Sequence, residues 1–393
     1  MKFTPVDYRR QKLSVKKLFL FLLYFDLFLT LLPMWSASPL YLFLSPTALI
    51  SIWHLGSLVN LIVCGFIILI IQRFIYNKIV VCCILLVYMA FLSSITINGF
   101  KSGGFALIGI PISFFIMFDT IKQYKFGVKH LNILFYSLLL WSLLPLLLLC
   151  LPALRMSFFM TVEGGYATFS GLALHRNFYG ILLCVLLLLL YYKKMPLIIK
   201  LILFILLSVC LVLSACRTAF VALIVMTCFL IYYNKTIKGG YKIFFFILVV
   251  LLGGVFYWIL TNPDYALRDI DDDHAREDLL YGFMKLIKEH PLLGYGEEVK
   301  HYSNIYPGGA IAHNFILQTT ANYGIFVTVF FIILLLAVYY YSQPFSKAIL
   351  AFLVIWGITQ PYFGFSVFSP HVIIPLFIGN LLDNNITTSL SRF

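Results

Sequence analysis

Charge is what this chain has least of. Asp, Glu, Lys and Arg make up 11% of its 393 residues, against 62% hydrophobic residues and 39 Phe, and the mean hydropathy is +0.99. Soluble globular domains carry about 25% charged residues, so an ordinary soluble fold is excluded. Acids are scarce and concentrated: ten of the fifteen Asp and Glu lie between Asn262 and Ala312. Cysteine is missing from that same polar stretch. All eight (Cys64, Cys82, Cys83, Cys150, Cys184, Cys210, Cys216 and Cys228) sit in or at the edge of apolar runs, where a thiol behaves as a small hydrophobe. A disulfide framework needs exposed cysteines and a metal site needs ligand spacing, whereas Cys82 and Cys83 are simply adjacent. The acidic run Asp269–Asp273 lacks calcium-loop spacing and reads as a solvated face. No metal and no cofactor is expected.

What the chain does have is a succession of apolar runs long enough to cross a bilayer, for which about 20 residues are needed. Breaking hydropathy at charge and Pro/Gly clusters predicts about twelve spans, near 18–35, 47–71, 79–97, 105–119, 131–152, 178–192, 196–214, 219–233, 243–261, 324–341, 347–363 and 371–383. The basic start (Arg9, Arg10, Lys12, Lys16, Lys17) leads into the first run without a small-residue cleavage site, so it reads as an anchor. With no internal repeat or low-complexity linker, residues 1–393 read as a single transmembrane domain of an all-α polytopic membrane protein.

The net charge of +13 invites a nucleic-acid reading, but its distribution argues for topology instead. The connectors on the N-terminal side, with both termini, hold 19 of the 28 Lys and Arg, and the other side holds nine. Positive residues gather in cytoplasmic connectors. Both termini are therefore expected in the cytoplasm, the 262–313 loop outside (the periplasm in a Gram-negative cell), and no nucleic acid among the partners. Within that loop, Ala275–Lys288 has helical spacing, with Leu279, Leu280, Phe283, Met284 and Ile287 as its apolar stripe. The stripe could lie on the membrane surface or pack on the bundle.

Three polar elements on the outer side are candidates for chemistry. Arg217, in Ser214-Ala-Cys-Arg-Thr218, sits between two apolar runs. An arginine at the centre of a span costs roughly 2.5–3.5 kcal/mol on insertion scales, so it either snorkels from a tight turn or faces a cavity where its fork can hold a phosphate. Arg276 follows the acidic run and reads either as a salt-bridged surface residue or as a second anion ligand. His313-Asn314 stands at the mouth of an apolar run, where the imidazole is either a helix cap or a base for a sugar hydroxyl. Arg176 and Asn177, at the start of the sixth span, either add to an anion site or mark the interface. Arg155 lies on the same side, and His371 reads as structural.

These pieces resemble the O-antigen ligase/polymerase family of bacterial polysaccharide assembly. Ser214-Ala-Cys-Arg-Thr-Ala-Phe220 is similar to its Ser-x-x-Arg-Thr-Ala/Gly segment. Arg276 followed by His290-Pro-Leu-Leu-Gly-Tyr-Gly296 resembles its Arg and Pro-Leu-Leu-Gly-x-Gly loop. Ala312-His-Asn-Phe-Ile-Leu317 and then Ala321-Asn-Tyr-Gly-Ile325 resemble its His-Asn-x-x-Leu and closing Gly, though Asn322 stands where the family often has Glu. Gly171 to Gly180, with Arg176-Asn177, looks like the family's Asn-bearing helix start. The likeness runs over about 171–340.

The resemblance implies a fold like that of lipid-linked-donor (GT-C type) glycosyltransferases in the inner membrane, with the active site facing the periplasm. It also implies an undecaprenyl-diphosphate-linked glycan as donor. The acceptor would be another lipid-linked repeat unit in a polymerase, the favoured reading, or lipid A-core in a ligase. A chain-length regulator is a further expected partner. By this carry-over Arg217 and Arg276 hold the diphosphate, His313 orients or deprotonates the acceptor hydroxyl, and Arg176, Asn177 and Asn314 bind substrate. The rival from another class is a flippase or transporter, which calls for charges near span midpoints. Span interiors here are nearly free of charge, with Asp26 and Lys200 as exceptions.

Overall fold

The computed structural model describes residues 5–32, 77–99, 127–161, 167–173, 175–234, 238–261, 274–296, 312, 314–358 and 370–390, with isolated positions between 52 and 63. These residues form twelve α-helices: α1 (Pro5–Leu31), α2 (Lys78–Asn98), α3 (Val128–Leu148), α4 (Arg176–Tyr192), α5 (Leu197–Leu213), α6 (Arg217–Tyr233), α7 (Gly239–Thr261), α8 (His274–Glu289), α9 (Phe315–Tyr323), α10 (Ile325–Tyr341), α11 (Pro344–Ile358) and α12 (Pro370–Leu390). Ten of the expected spans coincide with helices. The two near 47–71 and 105–119 lie largely outside the described residues.

The differences from expectation are local. Helix α1 starts at Pro5, far ahead of the apolar run, because Arg, Gln and Lys sustain a helix as well as Leu does. The helical architecture agrees with the all-α expectation, with one small hairpin added: after a 3-10 turn (Pro152–Phe158), strand β1 (Phe159–Thr161) pairs antiparallel with β2 (Ala167–Phe169), Phe159 opposite Phe169. Helix α9 is an added short element between the polar loop and the span that follows it.

Helices α2 and α3 are each long and apolar enough to cross a bilayer alone. Helices α4, α5, α6 and α10 have 17 residues, about 25 Å at 1.5 Å per residue, near the lower limit for a span. Outward-facing side chains are apolar in long succession. On α5 and α7, Ile198 is 73% exposed, Leu197 69%, Ile243 64% and Leu251 61%. Water does not tolerate so broad an apolar face, which makes this a helical membrane protein.

Helix α4 is the exception to that pattern. Every residue from Arg176 to Leu190 is buried, as an apolar sequence without a polar face demands, and α3, α5, α6 and α12 pack around it. Gly180 permits the closest approach: a Cβ there would lie 2.9 Å from the Cβ of Cys216 and 3.1 Å from that of Ala219.

Alternating helix direction sorts polar groups to two ends of the bundle. At one end Tyr233 and Tyr339 hydroxyls meet at 3.1 Å, and Lys347 Nζ lies 5.4 and 5.3 Å from those two ring centroids. Asp383 of α12 accepts from the N–H groups of Phe345 and Ser346 at the start of α11. The starts of α4 and α6 and the end of α11 are at the other end, where Phe178 and Trp356 rings are 6.2 Å apart. Polar α8 belongs to this second end.

Candidate functional site

The connection from α5 to α6 is the three-residue turn Ser214-Ala215-Cys216. Ala215 takes a left-handed φ of 47°, a conformation that costs a non-glycine residue about 1–2 kcal/mol. Ser214 holds the turn, its Oγ donating to Leu211 O (2.7 Å) and accepting from the Cys216 N–H (3.4 Å). The reversal places Arg217 at the first helical position of α6, beside the start of α4.

Helix α4 begins the same way, with an arginine at its first position. His175 caps it, Nδ1 accepting from the Asn177 N–H at 3.1 Å. Asn177 then ties the two helix starts together, its Oδ1 accepting from Cys216 Sγ at 3.3 Å. Burial pushes the Cys216 thiol up to about 11, against the pull of nearby Arg176, so the thiol stays a protonated donor at physiological pH. Arg176 is buried and Arg217 half-buried. Among the described residues no hydrogen bond or ion pair holds the Arg217 guanidinium. Two helix N-termini, each positive by its dipole and each led by an arginine, thus converge on one spot. The arrangement suits an anion with several oxygens, such as a diphosphate.

The second part of the site is the polar loop, and here the glycines decide the geometry. Helix α8 covers the expected helix and packs on the bundle rather than lying on a surface: Phe283 and Leu286 meet Ala321 of α9, with Leu279 and Ile287 beside them. Leu280 and Met284, expected in the same stripe, face outward. The Pro-Leu-Leu-Gly-x-Gly turn then interlocks with the α9–α10 junction. Tyr295 N–H donates to Ala321 O (2.8 Å) and Ile325 N–H to Pro291 O (2.9 Å). Gly294 (φ 67°) and Gly324 (φ 89°) face each other's chains; a Cβ on Gly324 would lie 1.9 Å from Leu292 O, and one on Gly294 2.5 Å from Asn322 C. These glycines are joints, required by φ and by space alike.

Helix α9 begins directly after Asn314. Asn314 is its cap, Oδ1 accepting from Ile316 N–H (2.9 Å) and Leu317 N–H (3.2 Å). Gln318 reaches back, its Oε1 accepting from the Ala312 N–H at 2.9 Å, and its Nε2 donates to Asn322 Oδ1 at 3.0 Å. Gln318 and Asn322 are both buried, so this neutral amide pair satisfies its own polar atoms where a carboxylate would need a countercharge.

The structure therefore brings Arg176, Asn177 and Arg217 together. It places Arg276 in the first turn of α8 and Asn314 at the head of α9. The Arg276 side chain, residue His313 and the Arg155 side chain lie outside the described residues, and so does the His371 side chain. The sequence reading missed Cys216, taken for a hydrophobe, and the amides of α9. Asn314, Gln318 and Asn322 do stand four residues apart in an apolar run, a spacing that puts them on one helix face.

Fold and site together define an α-helical membrane protein with its unusual polar groups gathered at one end of the bundle. Residues 201–332 match the family described as O-antigen ligase. That match, about a third of the chain, includes Arg217, Arg276, His313 and Asn314 and supports the O-antigen ligase/polymerase family; Arg176 and Asn177 precede it. The family's members are membrane enzymes of the glycosyltransferase kind that act on lipid-linked glycans. No curated protein matches the chain.

Proposed function

We propose that the protein is a surface-polysaccharide polymerase, joining undecaprenyl-diphosphate-linked repeat units at the periplasmic face of the inner membrane. The observation that carries this reading is the junction of α4 and α6, which sets Arg217 of the matched stretch beside Arg176 and Asn177. In the reaction, the bond from the donor's anomeric carbon to its diphosphate oxygen breaks, and a bond from that carbon to an acceptor hydroxyl oxygen forms. The hydroxyl proton goes to His313. The diphosphate departs as an anion, and Arg217 and Arg276 stabilise the charge that grows on it in the transition state. Arg176 adds positive potential from within the bundle, Asn177 keeps α4 and α6 in register, and Asn314 fixes the chain that follows His313.

The description of the matched family favours a second reading, an O-antigen ligase that transfers the glycan to lipid A-core. One experiment separates the two: the surface glycan profile of a deletion strain carrying wild type, Arg217→Ala, Arg276→Ala or His313→Ala, with expression verified. Single-repeat capped lipid A-core in all three variants marks a polymerase. Uncapped core, with long chains on the lipid carrier, marks a ligase. Normal ladders throughout would sink the catalytic assignment.

A further inference from the structure

The turn that ends α8 is held by a part of the chain far from it in sequence. Ser94 Oγ, in α2, donates to Leu293 O at 2.6 Å. Asn98 Nδ2, one helical turn on, donates to Leu293 O at 3.0 Å and to Gly294 O at 3.1 Å. Ser94 is fully buried, and a Cβ on Gly296 would come within 2.9 Å of the Asn98 Cβ. Two successive carbonyls of the loop are thus fixed by donors that precede the family match at 201–332.

We propose that Asn98, supported by Ser94, is a positioning residue for the transfer reaction: it sets the angle at which α8 leaves the bundle, and so the place of Arg276. This rests on the reading of Arg276 as a ligand of the departing diphosphate. The lever is long. Arg276 stands 13 residues before Glu289, the last residue of α8, about 20 Å at 1.5 Å per residue. A tilt of about 5° at the turn therefore moves the start of the helix by about 2 Å, and a misplacement of even 1 Å can cost on the order of 100-fold in rate. Phe283 and Leu286, resting on Ala321, share in setting that angle, while the turn held by Asn98 is where α8 is joined to the bundle by hydrogen bonds.

The test uses the full-length protein in lipid nanodiscs with a lipid-linked repeat unit as substrate, comparing wild type, Asn98→Asp, Asn98→Gln, Ser94→Ala and Arg276→Ala. Hydrogen exchange of the 291–296 amides reports anchoring of the turn independently of activity. Asn98→Asp exchanges a donor for a carboxylate facing two carbonyls. It should speed exchange in 291–296, leave exchange in α4 and α6 unchanged, and lower kcat by about 10- to 100-fold with KM nearly constant. Asn98→Gln, which keeps the donors, should recover most of kcat. If Asn98→Asp does not fold, Ser94→Ala, which removes one donor, should show the same pattern more weakly.

Faster exchange with unchanged kcat overturns the positional role, and unchanged exchange overturns the anchoring itself. A fall in kcat matched by looser exchange throughout the bundle, with no recovery in Asn98→Gln, reduces both residues to general stabilisers and also overturns the proposal. Full activity of Arg276→Ala defeats the functional reading of that arginine and the positional role with it, while the exchange data still report separately whether the turn was held.

Discussion

The two ends of the bundle use cations in opposite ways. At the end where α4 and α6 finish, lysines are occupied by the protein itself. Lys200 Nζ donates to Tyr191 O (2.5 Å) and Lys242 Nζ to Tyr232 O (2.7 Å), covering carbonyls at helix C-termini, while Lys193 Nζ donates to Asn132 Oδ1 (2.5 Å). Lys347 rests over the rings of Tyr233 and Tyr339. These are the contacts expected of positive charge at the negative end of a helix dipole and at a membrane interface. At the other end, arginines lead helices, where the dipole opposes them, and no described residue holds the guanidinium of Arg217. We read Arg217, a cation set against its own helix's field with no described residue on its guanidinium, as arranged for an anion from outside. On the proposed reading, cations of the first kind stabilise and those of the second kind bind substrate.

That contrast can be broken most sharply at Arg217. Arg217→Ala is expected to lower glycan transfer by about 100-fold or more while leaving the melting temperature within a degree or two of wild type, as thermal unfolding in detergent would check. Arg217→Lys keeps the charge but loses the fork, and an intermediate rate would identify bidentate recognition. Next comes Gly324→Ala at the interlock of loop and bundle. Its Cβ would meet the Leu292 carbonyl oxygen, in a backbone conformation (φ 89°, ψ 171°) already unfavourable for alanine by about 1–3 kcal/mol. Loss of both activity and protection of the 291–296 amides is expected; retention of both would show that the interlock is dispensable.

The opposite end should respond in stability alone. Asp383 accepts from Phe345 N–H, Ser346 N–H and Ser346 Oγ–H, so Asp383→Ala strands buried donors at a cost of about 1–3 kcal/mol. A lower melting temperature with unchanged turnover per folded molecule is the expected result, and lost turnover would blur the division between the ends. Smallest is Lys347→Ala, which removes a half-buried cation–π contact worth about 1 kcal/mol, read by the same melting experiment with no change in the glycan ladder.

How far the sequence disclosed this arrangement depends on the range of the interaction. Helices at ten of the expected positions, helix α8 and the nearness of Arg176 to Arg217 were legible, because apolar runs and helical periodicity are local or additive signals. Asn314 was read as a substrate ligand, and its cap on Ile316 and Leu317 is also a local signal, since Asn is a favoured N-cap. Asn98 was not legible: its partners stand 195 and 196 residues away, and nothing in the pattern around it distinguishes an amide gripping a loop from one facing water. Cys216 escaped for a related reason, since its partner Asn177 belongs to another helix. The placement of Arg276 and His313 relative to Arg217 remains a proposal built on the family match.

The burial of α4 on all sides bears on how the protein is made. An apolar helix emerging from the ribosome meets lipid first, and α4 is synthesised before three of the four helices that enclose it. Its Arg176 must wait near the membrane surface while α5, α6 and finally α12 arrive. The enclosure of α4 is thus completed only when α12 is made, by neighbours that close around a helix already inserted. A bundle caught short of α12 would have both arginine-led helix starts but would lack one wall of the enclosure around α4.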